Sequence, residues 1–294
     1  MTASMVHDSV VDVGRSRRRH VILHDPALLL GSVIVVSWLV VGAFGPLLLD
    51  HPPNAVTPDL FAPPSGAHWF GTDGLGRDVF SRVVAGARLS VPIATALVIV
   101  SSLVGALIGA LAGYFGGWID EIVMRLTDLV FAFPGVVLAL AITAALGPGL
   151  QNATLAIAVL AWPPYARVVR GHVLALRNSE FVAAARLRGV SGRTALRREI
   201  TPNLHAPVLV LATVDIGEKI LLLAAISFLG LGVQAPAADW GSMIGEGTQN
   251  LGEWWIAVFP GAAIVTVVLA FNIVGDRVRA HLGGQQADTA KGAT

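Results

Sequence analysis

The sequence predicts an all-α polytopic membrane protein with six transmembrane helices. Charged residues make up only 13% of the 294 residues, against about 25% in soluble globular domains. Several stretches without charge exceed the roughly 20 apolar residues that a helix needs to cross a bilayer. The 32 glycines and 16 prolines agree with this interpretation, because both residues are commoner in transmembrane helices than in soluble ones. Cysteine is absent, which excludes disulfides and thiolate chemistry.

The first three predicted helices lie in the N-terminal half of the chain. Ala27 to Leu49 and Leu89 to Phe115 contain no charged residue. The first of these follows a basic stretch, but its apolar run exceeds the 7–15 residues of a signal peptide, so we expect a retained helix. The third predicted helix begins near Ile122 and ends at the Gly-Pro-Gly sequence that starts at residue 147.

The last three predicted helices are more often interrupted by charge. The fourth begins at Ala153 and reaches two arginines, whose long side chains can extend to an interface. The fifth, about Ala206 to Gly232, contains three charged residues. The sixth, Trp254 to Val274, is uncharged and opens with a Trp pair suited to a membrane interface.

The distribution of basic residues predicts one orientation. If the N-terminus is cytoplasmic, most of the 20 lysines and arginines fall on the cytoplasmic side, as the positive-inside rule requires. Three arginines fall outside, near Asp73 and Asp78. Both termini are therefore expected in the cytoplasm.

The sequence contains no recognisable catalytic, metal or cofactor motif. A phosphate-binding P-loop ends in Gly-Lys-Ser/Thr, and neither Lys219 nor Lys291 follows a glycine. The eight histidines form no His-Glu-x-x-His motif. We therefore expect a chain without enzymatic activity of its own.

The segment 171–203 is a basic loop on the predicted cytoplasmic side. The pattern predicts a short helix from about Ser179 to Arg188, with small residues on its surface and Gly189 as its terminator. An alanine surface permits close approach by another protein. The alternative is a loop that is basic only because it lies inside.

Five stretches in order resemble one transport family. Ala184, Ala185, Gly189 and Pro202 fit the EAA loop of ABC-importer permeases, although Ala183 replaces the usual Glu. FGTDGLGRDVFSRVVAGARLS, GYFGGWIDEIVMRLTDLVFAFP, WPPYARVVRG and ISFLGLGVQAP resemble the C-type permeases of dipeptide, oligopeptide and nickel importers.

The resemblance implies a type I ABC importer permease fold in a bacterial inner membrane. It also implies four kinds of partner: a homologous second permease, two ATPase subunits that hold the ATP and Mg, an extracytoplasmic substrate-binding protein and a peptide substrate. The loop helix would be the coupling helix that contacts an ATPase. The residues expected at that contact are Glu180, Phe181, Ala183, Ala184, Ala185, Arg186, Arg188, Gly189 and Pro202.

Four segments follow from the predicted helices and the resemblance. Residues 1–26 are a basic cytoplasmic tail, and residues 27–87 are the first helix with a Pro-rich extracytoplasmic segment. Residues 88–279 are the permease domain, and residues 280–294 are a disordered cytoplasmic tail.

Intramembrane charges and a glycine stripe are the remaining features. Asp215 and Lys219 share a helix face at i, i+4, and with Glu218 they either line the substrate pathway or form a structural ion pair. Arg125 and Asp128, at i, i+3, are expected to form a structural pair. Four glycines at spacing four predict close helix packing, either within this chain or with the second permease; they are Gly105, Gly109, Gly113 and Gly117.

Several functions fit these features. An importer of di- or oligopeptides is one. The same machinery carrying nickel, a metal chelate or a glutathione-like compound is another. An ion-coupled secondary carrier that uses the charges of the fifth helix is a third, but such a carrier needs no ATPase-docking loop. A structural membrane protein without transport is the fourth.

Overall fold

The computed structural model describes residues 25–47, 49–177, 179, 187, 194 and 201–291. In these residues the regular structure is helical and no strand occurs, which confirms the all-α prediction. The α-helices of this part of the chain are α1 (Pro26–Phe44), α2 (Val79–Phe115), α3 (Gly117–Phe131), α4 (Gly135–Leu146), α5 (Leu150–Ala161), α6 (Pro163–Arg177), α7 (His205–Phe228), α8 (Trp240–Thr248) and α9 (Trp255–Lys291).

Aspartates set the start of three helices. The carboxylates of Asp25, Asp78 and Asp239 accept backbone N–H groups in the first turns of α1, α2 and α8. The bond from Ser81 N to Asp78 is 2.8 Å long, and that from Ser242 N to Asp239 is 3.0 Å. Such N-cap side chains satisfy backbone N–H donors that have no partner inside the helix.

Three helices of the described chain, α1, α2 and α9, are long and apolar enough to cross a membrane. The predicted third helix is instead two helices, α3 and α4, bent by 89°. Pro134 explains the break, because proline lacks an N–H and disfavours helical geometry in the residue before it. Together these two would make a fourth span. The count of six spans stays a prediction, since α7 carries three charges and α5 and α6 are short.

The glycine stripe of α2 packs against α6 of the same chain. A side chain on Gly109 would lie 2.8 Å from the Cα of Ala166, and one on Gly113 would lie 2.9 Å from the carbonyl of Arg170. The two backbones therefore approach closely along several turns, which agrees with the role of small residues between membrane helices. The structure thus decides between the two partners that the sequence left open. Gly117 begins α3 and takes no part in this contact.

The bundle supports a cap, defined here as residues 50–78 and 233–254. α2 is about 55 Å long at 1.5 Å per residue, so its first turns extend into this cap. The buried indole of Trp240 donates to the carbonyl of Val83 at 2.9 Å, and that of Trp255 donates to Thr72 at 3.0 Å. These bonds attach the cap to α2 and α9.

The C-terminal tail differs from its prediction. The composition after residue 280 predicts disorder, whereas α9 continues to Lys291. Extending a formed helix needs no new nucleus, which offsets the low helix propensity of Gly283 and Gly284.

Candidate translocation and coupling site

A buried polar triad joins α6 to the middle of α7. The ammonium of Lys219 lies 2.7 Å from Asp215 Oδ1, and the hydroxyl of Tyr165 donates to Asp215 Oδ2 at 2.7 Å. All three residues are buried, with 5% or less of their surface exposed. Each oxygen of the carboxylate has a partner, so the buried negative charge is neutralised and hydrogen-bonded. The Asp215 carboxylate is thus fully partnered by side chains of this chain.

Glu218 behaves differently from its two neighbours. Its side chain is 71% exposed and contacts Lys219 at 3.3 Å from the outer side. It lies on a face of α7 that also carries the exposed side chains of Leu221 and Phe228. Of the three charges predicted in the fifth helix, Glu218 is the one whose side chain is exposed on the surface of this chain.

A second exposed surface lies between α2 and α7. It is an apolar groove of about 590 Å³, and its lining includes Leu103 and Leu107 from α2 and Leu209 from α7. Only Ser102, Thr201 and His205 contribute polar side chains to its lining.

Ion pairs hold α3 against α6. Arg170 forms a two-pronged contact with Asp120, including one bond of 2.6 Å, and Arg167 donates to Asp128 at 2.6 Å. Arg177 donates to the carbonyl of Gly113 at 3.0 Å and thereby attaches the end of α6 to α2.

These contacts replace the predicted pair of Arg125 with Asp128. Asp128 binds Arg167, while Arg125 lies 4.0 Å from Glu121, with both of these side chains mostly exposed. The reason is tertiary, because α6 brings an arginine to Asp128 from 39 residues away.

The cap contains a second buried charge cluster. Arg77 donates to Asp73 at 2.6 Å and lies 3.1 Å from Glu246 of α8. Arg82 approaches Asp73 at 3.5 Å. The four charges balance, and they connect residues 50–78 with α8. Nearby, His68 contacts Asp78 at 2.9 Å.

Two carboxyl groups of the cap have raised pKa values. Burial is the main cause for both Asp239 and Glu246, and the negative charge of Asp73 adds to the rise in the pKa of Glu246. Arg77 and Arg82 oppose the rise at Glu246 without cancelling it.

The predicted ATPase contacts fall mostly outside the described residues. This applies to Glu180, Phe181, Ala183, Ala184, Ala185, Arg186, Arg188 and Gly189. Pro202 is described and lies in a 3-10 turn, Thr201–Asn203, just before α7.

Sequence reasoning missed Tyr165 and the ionic contacts of Asp120 and Arg77. The partners of these residues are between 50 and 169 positions away. The only local signal was the placement of Arg77 between Asp73 and Asp78 in the FGTDGLGRD stretch.

Comparison with known proteins identifies the family. The family described as "Binding-protein-dependent transport system inner membrane component" matches residues 105–284. The chain belongs to this family. It is an inner membrane permease of the ABC importer type, a transport subunit without catalytic activity, as the sequence predicts.

Curated relatives of the permease extend over most of its length. The probable D,D-dipeptide transport system permease protein DdpC of Escherichia coli (strain K12) is 43% identical and covers 90% of each chain. The dipeptide transport system permease protein DppC of Alkalihalophilus pseudofirmus is 42% identical, over 85% of this chain and 83% of its own. The glutathione transport system permease protein GsiD of Escherichia coli O6:K15:H31 is 45% identical, over 74% and 72% respectively.

A solved structure has the same fold. A chain of the MetNI methionine ABC transporter, in an inward-facing conformation, matches with a TM-score of 0.52 at 21% identity. The match covers 69% of this permease and 97% of that chain. Importers of this class generally operate with ATPase and substrate-binding subunits.

Proposed function

We propose that this permease forms, with a homologous second permease, the membrane pathway of an ATP-driven importer of di- or oligopeptides. The observation that carries the proposal is its similarity to DdpC and DppC over 85–90% of its length. The exposed charge of Glu218 on α7 supports a pathway that meets the amino group of a peptide. Asp215 and Lys219, which satisfy each other, would hold that face in place rather than contact the peptide.

Two ATPase subunits supply ATP hydrolysis in this proposal, and residues 180–189 contact one of them. Residues 88–279 form the permease domain. The termini lie in the cytoplasm and the cap faces outward, where a substrate-binding protein delivers peptide. A reporter fused at Gly192 should then be cytoplasmic and one fused after Gly232 external, because α7 alone separates them.

Transport by the reconstituted importer tests the proposal directly. The permease is assembled in proteoliposomes with its second permease, ATPases and binding protein, with ATP enclosed on the ATPase side. Labelled dipeptide should accumulate only when ATP is hydrolysed. Accumulation driven by an ion gradient without ATP would instead establish the secondary-carrier alternative.

The coupling loop is tested by one charged substitution. Ala184→Asp places a carboxylate on the expected contact, so ATPase association and peptide uptake should both fall while the two permeases still pair. Ala195→Asp, in the same loop but outside the expected contact, is the matched control. Normal ATPase binding by the Ala184 variant would remove the assignment.

Glutathione is the second candidate substrate, because GsiD matches 74% of this chain at 45% identity. The same vesicles distinguish the substrates. Competition of labelled dipeptide uptake by unlabelled glutathione, with nickel as a further competitor, ranks the three.

A further inference from the structure

We infer that Tyr165 is a positioning residue that couples the ATPase-facing loop to the middle of α7, an inference that rests on the proposed docking of an ATPase on that loop. The inference begins from chain order. α6 enters the segment 178–200 and α7 leaves it, so both helices receive any displacement of the loop.

The hydrogen bond of Tyr165 joins α6 and α7 at similar distances from the helix ends that flank residues 178–200. Tyr165 precedes the end of α6 by 12 residues, about 18 Å at 1.5 Å per residue, and Asp215 follows the start of α7 by 10 residues, about 15 Å. Below this bond, Val169, Val173 and Leu204 form an apolar cluster between α6 and the start of α7. The bond therefore connects α6 and α7 several turns away from the ends that flank residues 178–200.

The triad also bridges a weak point of α7. Gly217 lies between Asp215 and Lys219, and an interior glycine gives a helix more conformational freedom than other residues. The ion pair of Asp215 with Lys219 spans this glycine on one side. Tyr165 then fixes the braced turn to α6, which is itself held closely against the glycines of α2.

This arrangement makes α6 and the middle of α7 move together, because the Tyr165 bond joins the two helices while the Asp215–Lys219 pair already spans Gly217 within α7. With the bond in place, motion of α6 is passed to the middle of α7 and onward along that helix to Leu221. Without the bond, α6 can move while this part of α7 stays with α9, against which Gly217 packs through Val268.

Tyr165→Phe in the complete reconstituted importer tests the inference. The variant removes one hydroxyl and leaves the Asp215–Lys219 pair intact, so no charge loses its ionic partner. We expect the number of peptides imported per ATP hydrolysed to fall about tenfold. Losing a hydrogen bond to a charged group changes the equilibrium between the joined and the separated helices by about that factor. ATPase binding should be unchanged. Tyr114→Phe, at the other tyrosine, is the matched control and should retain the wild-type ratio.

Distance measurements separate positioning from simple loss of structure. The chain has no cysteine, so single labels can be introduced cleanly. Spin labels are placed at the exposed sites His172 of α6 or Leu221 of α7, with Val36 of α1 as the reference. Trapping the ATPases with vanadate should move both sites in the wild type but only His172 in Tyr165→Phe. Movement of Leu221 in that variant would overturn the inference.

A second set of variants keeps the test decisive if Tyr165→Phe fails to assemble. Asp215→Asn with Lys219→Met removes both buried charges but keeps an oxygen that accepts the Tyr165 hydroxyl. This double variant should stay within about twofold of the wild-type ratio, and adding Tyr165→Phe should uncouple it. Equal ratios in the double and triple variants would refute the inference. Failure of the wild-type importer to bind ATPases would instead refute the proposed function.

Discussion

The bundle and the cap both bury charged side chains, but they neutralise them by different routes. In the bundle, Asp215 and Lys219 are one helical turn apart, and a tyrosine completes the set. In the cap, Arg77 joins Asp73, four residues away, to Glu246, which is 169 residues away. The ion pair of the first site lies within one helix, whereas the ion pairs of the second site connect two distant segments. Buried ion pairs can therefore stabilise one turn of a helix, as in α7, or connect segments that are far apart in the sequence, as in the cap.

The largest loss of stability is expected for a buried charge that has a single ionic partner. Lys219→Met leaves Asp215 buried without a cation, and such a change costs about 3–5 kcal/mol. The midpoint of thermal unfolding in detergent, followed by the fluorescence of the seven tryptophans, measures the loss. Combining the change with Asp215→Leu should recover most of the stability. A double variant as unstable as the single one would show that the pair is not the source of the effect.

Arg77→Met asks whether the cap compensates its charges more broadly. Asp73 keeps Arg82 at 3.5 Å, so we expect a smaller loss of about 2–3 kcal/mol in the same unfolding measurement. Arg125→Met is the control, because its contact with Glu121 is exposed and should contribute less than about 0.5 kcal/mol. Equal losses from Arg77 and Lys219 would erase the distinction between the two regions.

Packing of the bundle can be compared with its charge by substituting one glycine. Gly109→Ala places a methyl group against the backbone of α6, which cannot move aside, and should cost about 1–3 kcal/mol. Gly171→Ala on α6 has open space at its Cβ and should be neutral or stabilising by up to about 1 kcal/mol. Similar unfolding midpoints for the two variants would contradict the close contact of α2 with α6.

The smallest effect expected is a pH dependence confined to the cap. Because the pKa of Glu246 is raised in the folded protein, the folded state binds more protons than the unfolded state between the ordinary carboxyl pKa, about 4.3, and the raised value. The contribution of Glu246 to stability is therefore full below that window and declines as pH rises through it. Glu246→Gln should flatten this part of the stability profile, whereas Glu121→Gln, on an exposed residue, should leave it unchanged. An unaltered profile in the Glu246 variant would assign the pH dependence to another group, such as Asp239.

Much of the helical framework follows from local sequence. Uncharged runs located α1, most of α2, and α9, but the starts of α2 and α8, which Asp78 and Asp239 cap, were not predicted from the sequence. The bend between α3 and α4 was missed, although Pro134 is visible in the sequence, because hydropathy does not register geometry. The helical continuation to Lys291 was missed because composition alone does not include growth from an existing helix.

The candidate site divides in the same way. The i, i+4 spacing predicted that Asp215 and Lys219 share a face, and the structure brings them together at 2.7 Å. The pairing of Arg125 with Asp128 rested on similar spacing, but Arg167 of another helix takes Asp128 instead. Local spacing makes a pair possible, and a competing cation from elsewhere in the fold decides whether it forms.

The sequence by itself determined that this chain is a helical membrane protein, because hydropathy depends on residues only a few positions apart, and its resemblance to ABC-importer permeases indicated the family. It also determined which charges must avoid lipid. Only the tertiary structure decided that the glycine stripe packs within the chain, that Tyr165 completes the triad and that Arg77 reaches α8. These contacts join residues 50 or more positions apart, and their formation depends on how whole helices pack rather than on any local pattern.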